Sequence, residues 1–341
     1  MKNIFVTGGA GFIGSAFVRI VLDEQNDVRI VNYDALTYAG NLENLKGVDD
    51  SRHTFIKGDI CDHAGVMAAL PETCDAIFNF AAESHVDRSI QAADEFLRTN
   101  IIGTQVLLDA ARARTVWRFV QISTDEVMGS LADERDEFFT EDSPLRPNSP
   151  YAASKAAAEL IVRAARSTFG VDTVITRCGN NYGPRQFPEK LIPLMIANAI
   201  ANEPLPVYGD GRNVRDWIYV DDHARAIWEV YEKGRAGETY NIGARNERYN
   251  IDVVKSILDA LGKPDTLIKF VDDRLGHDRR YAIDPTKIET EIDWRPRVAW
   301  EEGLAKTIRW YQENEDWVAH VRSGEYQEYY QKLYGMSLGR A

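Results

Sequence analysis

Cysteine is scarce in this chain: three residues in 341, at Cys61, Cys74 and Cys178. The number is odd, the spacing is wide, and no Cys-x-x-Cys pair occurs. A disulfide framework and a cysteine-held zinc are therefore excluded, and the chain reads as one that works reduced. No other spacing supports a metal site. Basic charge is also in deficit, with 40 Lys and Arg against 53 Asp and Glu, a net −13. That excludes a nucleic-acid polymer as partner, since such binding rests on basic patches, and a polybasic hold on a membrane surface. Long apolar runs are missing as well. A membrane span needs about 20 such residues, and the nearest stretch, 191–200, is broken by Pro193 and Asn198. After Met1-Lys2-Asn3 only Ile4-Phe5-Val6 is apolar, so no secretory leader is read and a cytoplasmic location is expected. What is present is an ordinary globular mix, 44% hydrophobic and 27% charged. At about 100–200 residues per domain, the length suits two lobes.

The first half alternates between short β-branched or aromatic runs and helical periods. Strands are expected at 4–7, 28–33, 54–57, 76–80, 119–122 and 173–177, with helices at 12–24, 95–112 and 150–169. Apolar strands alternating with helices predict an α/β fold, a doubly wound (Rossmann-type) parallel sheet covered on both faces. After Cys178, Gly, Pro and Asn become frequent, which predicts a smaller, mixed α/β C-terminal lobe for a substrate. The expected division is 1–178 and 179–341, with a segment near 218–243 returning to the first lobe through a helix at 221–232. A last helix is expected at 300–313.

Thr7-Gly8-Gly9-Ala10-Gly11-Phe12-Ile13-Gly14 lies between the first strand and the first helix. It fits two glycine patterns, through Gly9, Gly11 and Gly14 or through Gly8, Gly11 and Gly14. Either gives a tight turn, close approach of backbone to a diphosphate, and a helix N-terminus to hold it. Glycines also punctuate ordinary turns, but Asp34 ends the second strand 20 residues beyond Gly14. A carboxylate there binds ribose hydroxyls and repels a 2′-phosphate, so NAD is favoured over NADP.

Tyr151 and Lys155 stand four apart on the expected helix, on one face. A tyrosine with a pKa near 10 is a poor base. A neighbouring ammonium and a cationic nicotinamide would lower that pKa and let the phenolate take a proton from a substrate hydroxyl. The fifth strand ends in Ser123-Thr124-Asp125-Glu126, at the edge where open parallel sheets bind ligands. From spacing alone two readings stand. Adjacent carboxylates can divide acid and base work, and Ser, Thr and Asp also favour caps and turns.

Together the glycine motif, Asp34 and the Tyr151/Lys155 pair resemble the extended short-chain dehydrogenase/reductase family. The stretches 81–89, 123–127, 180–184, 188–193 and 276–281 are similar to its dTDP-glucose 4,6-dehydratase members, over residues 2 to about 317. The resemblance implies a hydro-lyase that uses tightly bound NAD and regenerates it each turnover. Tyr151, with Lys155, would take the proton of the glucose 4-hydroxyl while the C4 hydrogen passes to NAD, and Thr124 would bond the same oxygen. Glu126 would then remove the C5 proton and a protonated Asp125 would protonate the departing 6-hydroxyl. Hydrogen returned to C6 and a proton returned to C5 would give a 4-keto-6-deoxy sugar nucleotide. A sugar-nucleotide 4-epimerase would share the cofactor features without needing Asp125 and Glu126, and a non-catalytic NAD-sensing scaffold would not need the Tyr/Lys pair.

By the same resemblance Gly8, Gly11, Phe12, Ile13, Gly14, Asp34, Ala35, Leu36, Thr37, Asp59, Ile60, Phe80, Ala81, Ala82, Ser84, Thr99, Tyr151, Lys155 and Asn181 match cofactor positions. Ser84, His85, Thr124, Asn180, Lys190, Leu191, Pro206, Val207, Tyr208, Arg215, Asn250, Arg274 and His277 match sugar-nucleotide positions. Lys190, Arg215 and Arg274 suit a diphosphate. His85 and His277 can equally be structural, and Arg279-Arg280 can be a solvated pair. Met128 stands where the family usually has Tyr. It either fills the volume with its flexible thioether or alters recognition of the sugar. The two long helices, with small residues such as Ala156-Ala157-Ala158, resemble those that pair subunits into a homodimer.

Overall fold

The computed structural model describes residues 1–132 and 137–323. The stretch 324–341, assigned above to the second lobe, lies outside the described residues. Twelve strands are found among them: β1 Lys2–Thr7, β2 Val28–Asp34, β3 His53–Lys57, β4 Ala76–Asn79, β5 Arg118–Thr124, β6 Thr173–Cys178, β7 Asn180–Tyr182, β8 Leu205–Tyr208, β9 Val214–Tyr219, β10 Thr239–Ile242, β11 Glu247–Tyr249 and β12 Ile268–Val271. Seven of them form one sheet in the order β10-β6-β5-β4-β1-β2-β3, and every pairing in it is parallel. The order reverses between β1 and β4, which opens a crevice at the carboxyl edge.

The period of two along the strands sorts side chains onto two buried faces. Ile4, Val6, Phe78 and Val120 enter one core with Phe17, Trp228 and Tyr231. Phe5, Ile77 and Phe119 enter the other with Leu107, Leu108 and Val162. The helix Val220–Lys233 packs beside Phe12–Glu24 through Trp228 against Phe17 and Phe78, and β10 joins the main sheet directly afterwards. A separate core, with Ile192, Met195, Trp217, Ile257, Trp300 and Tyr311, underlies the sheets β11-β9-β7 and β12-β8.

The helix expected at 95–112 is broken. Ala93–Leu97 runs into a π-helical turn, Arg98–Gly103, before Thr104–Ala113 continues. Buried polar bonds hold the bulge. Asn100 accepts from the Glu83 N–H at 2.9 Å and donates to the Glu83 carbonyl at 3.0 Å and to Ser154 Oγ at 2.8 Å. Thr104 Oγ1 donates to the Asn100 carbonyl at 2.7 Å. The inserted residue thereby fastens the segment carrying Ser84, a functional use common for such turns. The helix Pro150–Phe169 matches its expected bounds: Ser149 caps it by accepting the Ala152 N–H, Pro150 fits the first turn, and Gly170 ends it at φ 72°.

Candidate active site

The carboxyl edge of the main sheet and the smaller sheets enclose one cavity of about 460 Å³. Its first wall is the β1 loop. Gly8, Gly11 and Gly14 line the cavity and Gly9 does not, which decides between the two glycine patterns. Gly8 has φ +70°, and a Cβ there would stand 2.5 Å from the Ala81 nitrogen. A Cβ on Gly14 would stand 2.2 Å from the Gly8 carbonyl oxygen. At the helix start, Gly11 puts no side chain on the first-turn N–H groups, which leaves them to an anion. Asp34 accepts the Ala10 N–H at 2.9 Å and the Leu36 N–H at 2.8 Å. Each oxygen keeps a lone pair for a ribose hydroxyl. The loop, the helix end and the carboxylate thus fit NAD. Leu36 is a correction: it does not line the cavity, because its side chain turns into the first core. The other positions matched to the cofactor all line it.

The second wall carries the chemistry. Thr124 Oγ1 accepts the Glu126 N–H at 3.3 Å and so caps a short turn, Asp125–Met128. Both readings of this cluster therefore hold at once, since the capped turn is what presents Asp125 and Glu126 to the cavity. Asp125 is almost fully buried, and its carboxyl sits well above the usual carboxylate range, through burial first and the Glu126 charge second. Burial also raises Glu126, but Arg274, Lys190 and Arg215 pull it back. Two neighbouring carboxyls thus titrate in different environments.

Lys155 is buried on the opposite helix and donates to the Ile122 carbonyl at 2.7 Å. Burial lowers its ammonium to about 8, against the raising influence of Glu159 and Cys178. Tyr151 lies one turn earlier on the same helix. Its phenol is held well above 10, by burial first and then by Glu126, Cys178 and Asp125, with only a hydrogen bond from Thr124 opposing. Burial and the facing carboxylates set this state, and the lowering expected from the sequence needs the cationic nicotinamide as well as Lys155.

All the positions matched to the sugar nucleotide line the same cavity. Lys190 Nζ donates to the Ser84 carbonyl at 2.9 Å. Arg215 donates to the Asp278 carbonyl at 2.9 Å and lies over the Tyr281 ring at 4.2 Å. His85 caps the helix Val86–Gln91 as well as lining the cavity, so its two readings coexist. His277 bonds Asp273 at 2.5 Å, and burial lowers it to about 4. Arg280 is no surface residue: it is fully buried and forks onto Glu247 at 2.7 and 3.1 Å, while Arg279 pairs with Asp210.

With this geometry in view, the comparisons are decisive. The family described as GDP-mannose 4,6 dehydratase matches residues 5–307. A dTDP-glucose 4,6-dehydratase of Neisseria meningitidis serogroup B is 51% identical, over 96% of this chain and 98% of that protein. The chain belongs to the dTDP-glucose 4,6-dehydratase family. A family member from Streptomyces venezuelae, solved with NAD and TYD bound, superposes with a TM-score of 0.91 at 50% identity, over 94% of this chain and all of that one. A UDP-glucose 4-epimerase of Thermotoga maritima, solved with UDP-glucose, shares the fold at TM-score 0.85 but only 29% identity, over 92% of this chain and all of that one.

Against this family frame, Met128 is buried against Val127, Phe139, Ala156 and Ile283, with its sulfur 3.5 Å from Arg177 Nη1. It does not line the cavity. Met128→Tyr is therefore expected to overpack this cluster, costing about 1–3 kcal/mol, and to leave the ratio of dTDP-glucose to UDP-glucose turnover unchanged. Urea melts and paired kinetics check both outcomes. Sequence reasoning missed Cys178, Gln186, Glu189, Trp217 and Tyr281 as lining residues. Cys178 was within reach of it, because it ends β6 beside Thr124 in register. Trp217 sits within β9, and Glu189 and Tyr281 lie in stretches that carried the resemblance without a role being assigned to them.

Proposed function

We propose that this chain dehydrates dTDP-glucose to the 4-keto-6-deoxy sugar nucleotide, with NAD as its resident cofactor. The observation that carries this reading is the pair Asp125 and Glu126, set in different electrostatic environments on the wall facing Tyr151. Simple oxidation at one carbon needs no such pair. When bound, NAD would take up the hydrogen from C4 and return it at C6, while C5 regains a proton. With the cationic cofactor bound beside it and Lys155 adding positive charge, the Tyr151 phenol would ionise and accept the 4-hydroxyl proton, and Thr124 would donate a hydrogen bond to the same oxygen. Once C4 is a ketone, the C5 proton is acidic and Glu126 removes it. Asp125, kept protonated by burial, protonates the 6-hydroxyl as it leaves as water. Elimination needs an acid and a base held at fixed positions, and one capped turn provides both. Lys190, Arg215 and Arg274 bind the diphosphate.

In this reading 1–178, with the returning segment 218–243, forms the NAD lobe. The rest of the described chain forms the sugar-nucleotide lobe, and the protein works in the cytoplasm. No helix among the described residues is long and apolar enough to cross a membrane. Incubation with dTDP-glucose in deuterated water tests the reaction. A 4-keto-6-deoxy product with deuterium at C5 is expected, and a sugar inverted at C4 without deuterium would overturn the reading.

A homodimer is part of the same proposal. Leu97, Ile102 and Leu160 are 45–56% exposed on the two long helical segments, apolar side chains of the kind that mark an interface. Ala156 and Ala158, expected to serve that packing, are instead buried within the subunit. Leu160→Glu is expected to convert a dimer into a monomer in light scattering, and an unchanged mass would reject this face.

A further inference from the structure

We propose that Glu189 is a positioning residue, clasping the loop at one end of the NAD site to the segments that carry Ser84 and Lys190, so that retention of NAD depends on it. The inference rests on the reading that this chain holds NAD.

The clasp joins parts far apart in sequence. Tyr38 follows β2, in the loop where Ala35, Thr37, Ala39 and Gly40 line the cavity. Its hydroxyl donates to Glu189 Oε1 at 3.0 Å, across 151 residues. The other carboxylate oxygen lies 3.6 Å from His85 Nε2 and 3.8 Å from Arg88 Nε. The Arg88 guanidinium lies over the Tyr38 ring at 3.8 Å, and Phe187 meets that ring edge-on at 5.6 Å. Lys190, next in the chain, closes the same seam through the Ser84 carbonyl.

The Glu189 side chain is only 3% exposed. A buried carboxylate is costly unless it is paired, and burial raises this one to about 7 against Lys190 and Arg88. Its partners come from two segments, and these together with its own contribute three walls of the cavity. The loop bearing Tyr38 is itself compact: Leu36 has φ +53°, and a Cβ on Gly40 would stand 2.9 Å from the Leu36 Cα. That loop is therefore tethered to the substrate side through one carboxylate, and cutting the tether frees the wall formed by Ala35 and Thr37.

The test measures bound NAD in the purified protein and its exchange with labelled NAD. Wild type is expected to retain NAD. Tyr38→Phe and Glu189→Ala are expected to exchange it about tenfold faster, as loss of one charge-assisted hydrogen bond allows. Glu189→Gln, which keeps an oxygen for the Tyr38 hydroxyl, is expected to fall between. The double variant Tyr38→Phe/Glu189→Ala is expected to exchange no faster than Glu189→Ala, because both cut one tether. At saturating NAD, kcat of Tyr38→Phe is expected within about twofold of wild type. If Glu189→Ala fails to fold, Tyr38→Phe and Glu189→Gln carry the test. Wild-type exchange in Tyr38→Phe, or additive effects in the double variant, would overturn the clasp. A wild type that binds no NAD would overturn the functional reading itself.

Discussion

Asp125→Asn and Glu126→Gln are each expected to lose dehydration by about 10²–10⁴-fold, the range of a positioned acid or base, while still oxidising C4. In a single turnover the reduced cofactor should accumulate where wild type shows only a transient. Asn cannot give the leaving hydroxyl a proton, and Gln cannot take the C5 proton. The two variants should differ in a second respect. The Glu126 charge is the second-largest influence raising Asp125, and also the second-largest raising Tyr151, after burial in both cases. Removing it in Glu126→Gln makes the phenol easier to ionise. C4 oxidation in Glu126→Gln should therefore reach its full rate at a lower pH than in Asp125→Asn, whose Glu126 still faces Tyr151. Rapid-mixing absorbance across pH reads both effects. Full dehydration in both variants would reject the assigned roles.

The parts legible in the sequence were those governed by local chemistry. The turn at Gly8, the helix from Ser149 to Gly170 and the i, i+4 pair Tyr151/Lys155 each depend on residues within one or two turns of one another. The parallel sheet followed from apolar strands alternating with helices, and its carboxyl edge correctly located Thr124, Asp125 and Glu126. What stayed hidden depends on long-range packing. The π-helical turn exists because Asn100 finds Glu83 and Ser154, partners 17 and 54 residues away. Leu36 turns inward because a left-handed backbone redirects it. Met128 points at the buried Arg177 rather than the cavity, which is settled by tertiary packing and not by its place after Glu126. The raised pKa of Tyr151 is tertiary too: a motif names its neighbour Lys155, whereas burial and the carboxylates of the turn after β5 raise the phenol.

Lys155→Met is expected to abolish turnover while making the fold more stable. The folded protein sheds the Lys155 proton near 8, the unfolded chain near 10.4. At pH 7 the native state therefore holds a charge it disfavours, a penalty on the order of 3 kcal/mol. Methionine removes that penalty and fits a similar volume. It also leaves the Ile122 carbonyl without its 2.7 Å donor, which offsets about 1 kcal/mol. A net gain of about 1–2 kcal/mol at pH 7 should remain. Between pH 8 and 10.4 the unfolded state binds the extra proton, so raising pH favours folding of wild type, and the advantage of the variant should shrink across that window. Denaturant melts of both proteins at pH 7 and 10 isolate this group from others that titrate there. Activity should move in the opposite sense. The ammonium is present below 8 and is lost above it, so wild-type kcat should fall on that limb. Lys155→Arg, whose charge persists past 12, should be slower throughout and lack the limb. A variant Lys155→Met no more stable than wild type at pH 7 would show that the buried ammonium is better solvated than its surroundings indicate.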